Sequence, residues 1–206
     1  MTLPFYAKTL SGKLWCFLAG SVCTIFLYQL TNRLQLAAPR LLELGPVDRS
    51  MPLLPWTVWV YFSEYIIFFC AYFGLKDNEN VMRYFYTYMI VFVISIACFI
   101  VFPVTFPRDQ FPDAGVGVSD QALYFLRNYM DTPKNCLPSL HVSTCFVSAF
   151  CFWRESKKKT LLFSLWALAV AISTMTTKQH YFVDVWTALI LTLSVNYYCF
   201  NKLKLS

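Results

Sequence analysis

The chain has 206 residues, of which 58% are hydrophobic and 14% are charged, and its formal net charge is +6 at pH 7. Soluble domains usually carry about 25% charged residues, so this composition argues against a soluble globule and for a membrane protein. The positive charge fits attraction to anionic lipid rather than to nucleic acid, because the sequence offers no basic surface with interleaved aromatic residues.

Six apolar runs are long enough for membrane-spanning helices, which need roughly 17–25 residues each. In chain order the predicted spans are Leu14–Thr31, Leu54–Leu75, Tyr84–Val104, Leu137–Trp153, Thr160–Thr177 and Phe182–Phe200. The sequence therefore predicts an all-α, polytopic membrane protein in which residues 1–206 form one domain, a bundle of six transmembrane helices. Its oligomeric state is left open.

The first span is interpreted as a membrane anchor rather than a cleavable signal, because its apolar run exceeds the roughly 7–15 residues of a signal-peptide core. All the cysteines except Cys136 fall inside predicted spans, where cysteine behaves as a small apolar residue. Since the sequence contains no Cys-x-x-Cys pair and no histidine-rich cluster, it predicts no metal site and no cofactor.

The loops predict the orientation of the bundle. Six spans place both termini on one face, together with the short basic loop that contains Lys157, Lys158 and Lys159, and ten of the 17 lysines and arginines fall on that face. Positive residues in short loops mark the cytoplasmic side. We therefore expect cytoplasmic termini, in a bacterial inner membrane or an equivalent membrane.

The two histidines are the first candidates for chemistry. His141 ends the sequence PSLH at the start of the fourth span, and His180 precedes the sixth span. The hairpin of two spans between them returns the second histidine to the level of the first, on the face opposite the termini. Ionisable groups in apolar surroundings are costly and usually mark functional sites.

His180 and Asp184 are four residues apart, so they share one face of a helix. The carboxylate can hold one ring nitrogen while the other points outward. The alternative interpretation is a structural pair that ties two helices together.

Several residues near the histidines could bind an anion. Pro138 and Ser139 are typical of an ordinary helix start, but a helix N-terminus also suits a phosphate group. Arg108 and Lys178 could add charge-assisted contacts to the same anion. Either cation could instead lie among lipid headgroups.

Two further features of the sequence concern the face of the bundle that holds the histidines. Glu64 falls about 15 Å into the second predicted span, where it is either protonated and hydrogen-bonded between helices or a group that handles a proton near His141. The loop from Thr105 to Cys136 is the longest outer segment, and its amphipathic stretch Gln121–Tyr129 could rest on the bilayer as a lid.

These motifs resemble those of the type 2 phosphatidic acid phosphatase superfamily. PSLH resembles its Pro-Ser-x-His motif, and Ser173, His180 and Asp184 have the spacing of its motif Ser-Arg-x5-His-x3-Asp. The resemblance covers the chain from about Asp48 to Phe200. The residues that fill these motifs are similar to those of the branch that contains inositol phosphorylceramide synthase-like and sphingomyelin synthase-like proteins.

Two departures from the superfamily pattern concern phosphate binding. The motif Lys-x6-Arg-Pro would need a lysine at the position of Val101 and a proline at the position of Asp109. The arginine of the third motif is replaced by Thr174.

The resemblance implies a metal-independent lipid phosphatase or phosphotransferase that acts on a lipid phosphate or phosphodiester. His180 would be the nucleophile, Asp184 would orient it, and His141 would protonate the leaving group. The residues predicted to bind substrate are Arg108, Ser139 and Ser173, and also Lys178, which its position before His180 suggests and the motif does not. The alternative function is a non-catalytic membrane protein that binds anionic lipid with a degenerate phosphate site.

Overall fold

The computed structural model describes residues 2–3, 9–33, 37–111, 115–131 and 133–205. The fold is mostly helical, and within these residues five helical segments are long and apolar enough to cross a membrane. They are Leu10–Arg33, Pro55–Gly74, Asn78–Val101, Lys157–Thr176 and Phe182–Asn201.

The helices are numbered here in chain order. They are α1 Leu10–Arg33, α2 Pro46–Ser50, α3 Val58–Phe62, α4 Glu64–Gly74, α5 Asn78–Val101, α6 Val118–Phe125, α7 Leu140–Phe150, α8 Lys157–Thr176 and α9 Phe182–Asn201. Two short parallel strand pairs join distant segments: β1 Thr2–Leu3 pairs with β4 Lys204–Leu205, and β2 Arg40–Leu41 pairs with β3 Val104–Thr105.

The fourth predicted span is shorter than the sequence suggested. Its helix, α7, has 11 residues, or about 16 Å at 1.5 Å per residue, against roughly 30 Å for a hydrocarbon core. Pro138 disfavours helical conformation at the residue before it, and Ser139 caps the helix that follows. A sixth crossing is therefore not established by helix length.

Although short, α7 is the central helix of the bundle. It packs against α4, α5, α8 and α9, and its residues from Val142 to Ala149 are buried. The facing helices contribute small side chains, among them Ala167, Ala171 and Ala188. Small residues let helices approach closely, so α7 is enclosed by protein rather than by lipid.

The end of α7 that lies away from the histidines is fixed by polar contacts. Glu155 accepts the backbone N–H groups of Lys76 at 3.1 Å and Asp77 at 3.0 Å. Lys159 Nζ donates to the Gly74 carbonyl at 2.9 Å. These contacts tie the α7–α8 turn to the α4–α5 turn.

The predicted amphipathic lid stretch is helical, but half of its apolar face packs on protein. Leu123 and Leu126 are buried against Val58 and Tyr61, whereas Tyr124 and Phe125 are exposed. The expectation that this stretch rests on the bilayer is therefore wrong for the side chains of Leu123 and Leu126, because the α3 surface covers them.

The loop before α2 is held on the start of α9 by Asp48. Asp48 Oδ1 accepts the Phe182 N–H at 2.7 Å, and Oδ2 accepts the Gly45 N–H at 2.9 Å. Asp48 is buried, so both hydrogen bonds are shielded from water. This carboxylate joins two segments that are far apart in the sequence.

We expect Asp48→Ala to lower the free energy of unfolding by about 2–4 kcal/mol, because hydrogen bonds to a charged group contribute roughly 1.5–3 kcal/mol each. The measurement is equilibrium unfolding in detergent micelles, followed by tryptophan fluorescence. Glu43→Ala is the matched control, since Glu43 is an exposed carboxylate in the same loop. Equal stability of the two variants would contradict the stabilising role of the Asp48 hydrogen bonds.

Candidate active site

The turn before α9 holds His180 against Asp184. Asp184 Oδ2 accepts the Tyr181 N–H at 2.9 Å and lies 3.2 Å from His180 Nδ1. The same ring nitrogen lies 3.1 Å from the Cys136 carbonyl oxygen. Because both partners of Nδ1 are acceptors, Nδ1 carries the hydrogen and Nε2 keeps a free lone pair. That tautomer is the one a nucleophilic imidazole needs.

His141 lies in the first turn of α7, beside the break between α3 and α4. The Tyr61 hydroxyl is 2.6 Å from His141 Nε2 and 3.1 Å from Nδ1, and Glu64 Oε2 is 3.3 Å from Nε2. The other Glu64 oxygen accepts the Thr144 hydroxyl at 2.7 Å. Glu64 Oε2 itself is buried and has no hydrogen-bond partner within the described part of the chain.

The two imidazoles face one another. Their ring centres are 5.9 Å apart, and His180 is 4% exposed. A nitrogen of each ring lies within 4.8 Å of one of the other, so both rings can contact the same small group. The structure therefore brings together His141, His180 and Asp184, the three residues that the sequence predicts for catalysis, with Glu64 beside them.

Asp131 is a fifth ionisable residue of the site, and no sequence motif indicates it. Asp131 Oδ1 accepts the Tyr28 hydroxyl at 2.5 Å, and Oδ2 accepts the Tyr61 hydroxyl at 3.1 Å. Arg108 Nη2 lies 3.5 Å from Oδ2. These partners are 23 to 103 residues away in sequence, so no spacing pattern could have indicated the cluster.

The charge of Asp131 is stabilised by its neighbours. Burial by itself raises the pKa of this carboxyl, but Arg108, His141 and His180 together with the Tyr28 hydrogen bond bring the pKa below its usual value. Asp131 is therefore ionised at neutral pH.

Arg108 lies at the edge of the site but is largely engaged by protein. Its Nη1 donates to the carbonyl oxygens of Asp131 and Arg127, the latter at 3.1 Å. Its Nε is buried and has no partner among the described residues. A direct contact of Arg108 with substrate remains a prediction.

The other residues predicted to bind substrate have structural contacts. Ser139 accepts the Val142 N–H at 3.4 Å as the α7 N-cap, and Ser173 Oγ donates to the Val170 carbonyl at 2.6 Å. These hydrogen bonds are local to their own helices. A direct contact of either serine with substrate remains a prediction.

Lys178 is buried away from any open surface. Its Nζ donates to the carbonyls of Asp48 at 3.1 Å and Met51 at 2.6 Å and lies 4.4 Å from the centre of the Phe111 ring. Burial lowers the pKa of this ammonium group, partly opposed by Asp48. The contacts give no support to a phosphate-binding role for Lys178.

A cavity of about 400 Å³ opens beside His141, between α1, α4, α5 and α7. Tyr28, Glu64 and Asp131 form its polar wall. A second cavity of about 290 Å³ shares Thr24 and Glu64 with the first. The apolar residues that line one or both cavities include Phe17, Ile25, Phe69, Phe92 and Leu140. Because Ile25 and Phe69 are exposed on the helix surfaces, the cavities form a path from the apolar flank of the bundle to His141.

Two overlapping sets of side chains could hold a cation. One potential ligand atom from each of Asp131, His141 and His180 lies within 4.8 Å of the others, and the same holds for Cys136, His180 and Asp184. Imidazole, thiolate and carboxylate are ligands that suit zinc. The sequence did not predict a metal at either set.

A family model described as the PAP2 superfamily matches residues 25–198, which is most of the chain. The match confirms the superfamily that the sequence motifs indicate. Searches of curated proteins and of solved structures found no match.

Proposed function

This chain belongs to the PAP2 superfamily, and we propose that it is an integral-membrane lipid phosphatase or phosphotransferase that forms a phosphohistidine intermediate. The superfamily covers both kinds of activity. The observation that carries the proposal is the pair of imidazoles 5.9 Å apart, one held by Asp184 and the other beside Glu64.

In the first half of the reaction, the free lone pair of His180 Nε2 attacks phosphorus. The bond from phosphorus to the lipid oxygen breaks, and His141 donates its proton to the departing alkoxide. Asp184 stabilises the positive charge that develops on the His180 ring. The products are a phosphohistidine and a lipid alcohol.

In the second half, water or an alcohol attacks the phosphohistidine. His141, now neutral, takes the proton of the attacking hydroxyl, and the His180 ring leaves phosphorus. Water gives hydrolysis and an alcohol gives transfer, so the two activities share every residue named so far. Which acceptor reacts depends on which molecule reaches His141.

Charge on the transferring group is stabilised by Arg108 and the N-terminal end of α7. The buried Nε of Arg108 has no partner among the described residues, and an anion oxygen would satisfy this donor. The α7 terminus adds the positive end of a helix dipole. These groups take over from the superfamily lysine and arginine that Val101 and Thr174 replace.

The substrate is proposed to be a lipid phosphate or phosphodiester that enters from the bilayer. The cavity path along α1 and α4 supports this, since it is apolar where it meets the helix surface and polar beside His141. The resemblance to inositol phosphorylceramide synthase-like and sphingomyelin synthase-like proteins supports a phosphodiester substrate or an alcohol acceptor.

The topology is proposed to have six crossings, with α7 as a short, protein-enclosed fourth crossing. Both termini would then be cytoplasmic, together with Lys157, Lys158 and Lys159 at the start of α8. The histidines would lie toward the opposite face. The charge of the short α7–α8 loop supports this orientation.

We expect His180→Ala to abolish cleavage of every phosphate ester, whereas His141→Ala still releases a fluorescent burst of 4-methylumbelliferone from 4-methylumbelliferyl phosphate. This leaving group needs no proton, although the second half of the reaction still needs His141 as a base. Loss of the acid should lower turnover of a lipid phosphate by about 10²–10⁴-fold. The measurement is phosphate release in detergent with a chelator present, and Lys158→Ala is the control. Full lipid turnover by either histidine variant, or loss of the parent activity with the chelator, would contradict the mechanism.

We expect Thr24→Trp to reduce turnover of a long-chain lipid phosphate at least tenfold and to spare 4-methylumbelliferyl phosphate, because the indole would fill the lipid path. Val22→Trp is the matched control, since Val22 is 67% exposed on the same helix. An equal effect of both variants on the lipid substrate would show that the cavity is not the route.

We expect Glu64→Gln to slow transfer to an alcohol by about 10–100-fold, because a neutral amide cannot support proton transfer to His141. Transfer is followed with a radiolabelled lipid phosphate and a short-chain alcohol. Unchanged transfer would leave Glu64 as a structural group between helices.

A further inference from the structure

Asp131 is a buried carboxylate that the reaction proposed above does not use. It is 6% exposed and directly follows the π-helical turn Leu126–Met130. Arg108 donates to its carbonyl oxygen and lies 3.5 Å from its carboxylate. Both the backbone and the side chain of Asp131 are therefore fixed next to the two histidines.

The hydroxyl of Tyr61 connects Asp131 to His141. A tyrosine hydroxyl has a single hydrogen, and an ionised carboxylate can only accept. Tyr61 must therefore donate to Asp131, at 3.1 Å, and its oxygen can only accept from the imidazole. The shorter contact of that oxygen is with His141 Nε2, at 2.6 Å, so the imidazole hydrogen lies on Nε2.

Packing holds the Tyr61 side chain in place, so its hydroxyl stays between Asp131 and His141. It is 1% exposed and packs with Val58, Leu123 and Leu126. Its ring centre lies 4.4 Å from that of His141. The hydroxyl position is thus set by packing, while Asp131 sets the direction of the hydrogen bond.

The other groups around His141 do not oppose the placement of its hydrogen on Nε2. Glu64 on α4 is an acceptor 3.3 Å from Nε2 and favours the same hydrogen position. His180 lies 5.9 Å away between ring centres, and Arg108 contacts Asp131. Tyr28 on α1 donates to the second Asp131 oxygen, so it does not compete for the Tyr61 hydrogen.

We propose that Asp131 is a positioning residue for His141: through Tyr61 it keeps the hydrogen of the neutral imidazole on Nε2, so that Nδ1 is the atom that exchanges a proton with the reacting oxygen. The role in proton exchange rests on the function proposed above, whereas the hydrogen position does not. The two imidazoles would then have opposite tautomers, with hydrogen on Nδ1 of His180 and on Nε2 of His141. Asp184 and Asp131 would act in parallel, one directly and one through a tyrosine.

The chain has two histidines, which makes the tautomers directly measurable. Protein labelled with ¹⁵N-histidine and reconstituted in phosphatidylcholine vesicles would be examined by solid-state NMR at a pH at which both imidazoles are neutral, with His180→Ala to assign the signals. We expect hydrogen on Nε2 of His141 in the parent, and a mixture of tautomers in Asp131→Asn and in Tyr61→Phe. Hydrogen on Nδ1 of His141 in the parent, or an unchanged tautomer in either variant, would overturn the proposal.

Controls separate a positioning role from a general loss of structure. Tyr65→Phe makes the same chemical change on the neighbouring helix, and among the described residues no hydrogen bond joins the Tyr65 hydroxyl to Asp131 or His141, whereas Tyr61 contacts both. We expect this variant to keep the parent tautomers. An unchanged His180 signal in Asp131→Asn and Tyr61→Phe would report an intact site.

Kinetics provide a second readout. We expect Asp131→Asn and Tyr61→Phe each to lower kcat for a lipid phosphate by about 10–100-fold, with KM within about threefold, and to leave the burst of 4-methylumbelliferone release from 4-methylumbelliferyl phosphate nearly unchanged. The double variant should be no slower than Tyr61→Phe, because Asp131 acts through Tyr61. Equal losses on both substrates would overturn the positioning role. If the parent hydrolysed neither substrate, the proposed function would fail while the NMR result still decided the hydrogen position.

Discussion

Every ionisable side chain of the site must find its partner inside an apolar bundle. A buried charge without a partner is strongly destabilising, so the acceptors and donors available around each group decide its protonation state. Asp184 and the Cys136 carbonyl determine the hydrogen position on His180. Asp131 has three donors around it, Tyr28, Tyr61 and Arg108. The chemistry proposed for the protein follows from this limited set of contacts.

The packing of α7 determines where those contacts form. Because α7 is short and surrounded by four helices, its first turn lies beside the break between α3 and α4. Ser63 lies at that break and accepts the Trp166 Nε1–H at 2.8 Å, which fixes the break against α8. Tyr61 and Glu64 are three residues apart across it, and both reach His141. A straight, uninterrupted second span would not guarantee that pair of contacts.

The turn before His180 is shaped by Thr174, which stands at the position of the superfamily arginine, and by Lys178. The Thr174 carbonyl accepts the N–H groups of Gln179 at 2.9 Å and His180 at 3.3 Å. Lys178 has a φ of 59°, a left-handed conformation that non-glycine residues rarely adopt. The hydrogen bonds of its Nζ to the carbonyls of Asp48 and Met51 hold Lys178 in this conformation. A lysine that the sequence offered as a phosphate ligand thus contributes to the geometry of the nucleophile.

Local patterns in the sequence were sufficient for part of this architecture. The apolar runs predict the helices, Ser139 predicts the start of α7, and the spacing of His180 and Asp184 predicts their contact, because each depends on residues within one or two helical turns. The later start of the fourth span was within reach of the same reasoning, since Pro138 and Ser139 already mark where that helix must begin, but its earlier end at Phe150 was not.

The amino-acid order by itself determined the membrane class, the helix positions, the superfamily motifs and the His180–Asp184 pair, since all of these arise from composition or from neighbours along the chain. Only the tertiary structure decided that Asp131, Tyr28 and Tyr61 join His141, that α7 lies enclosed at the centre of the bundle, and that Lys178 binds backbone carbonyls. Those contacts connect segments as much as 103 to 130 residues apart, and their formation depends on how whole helices pack.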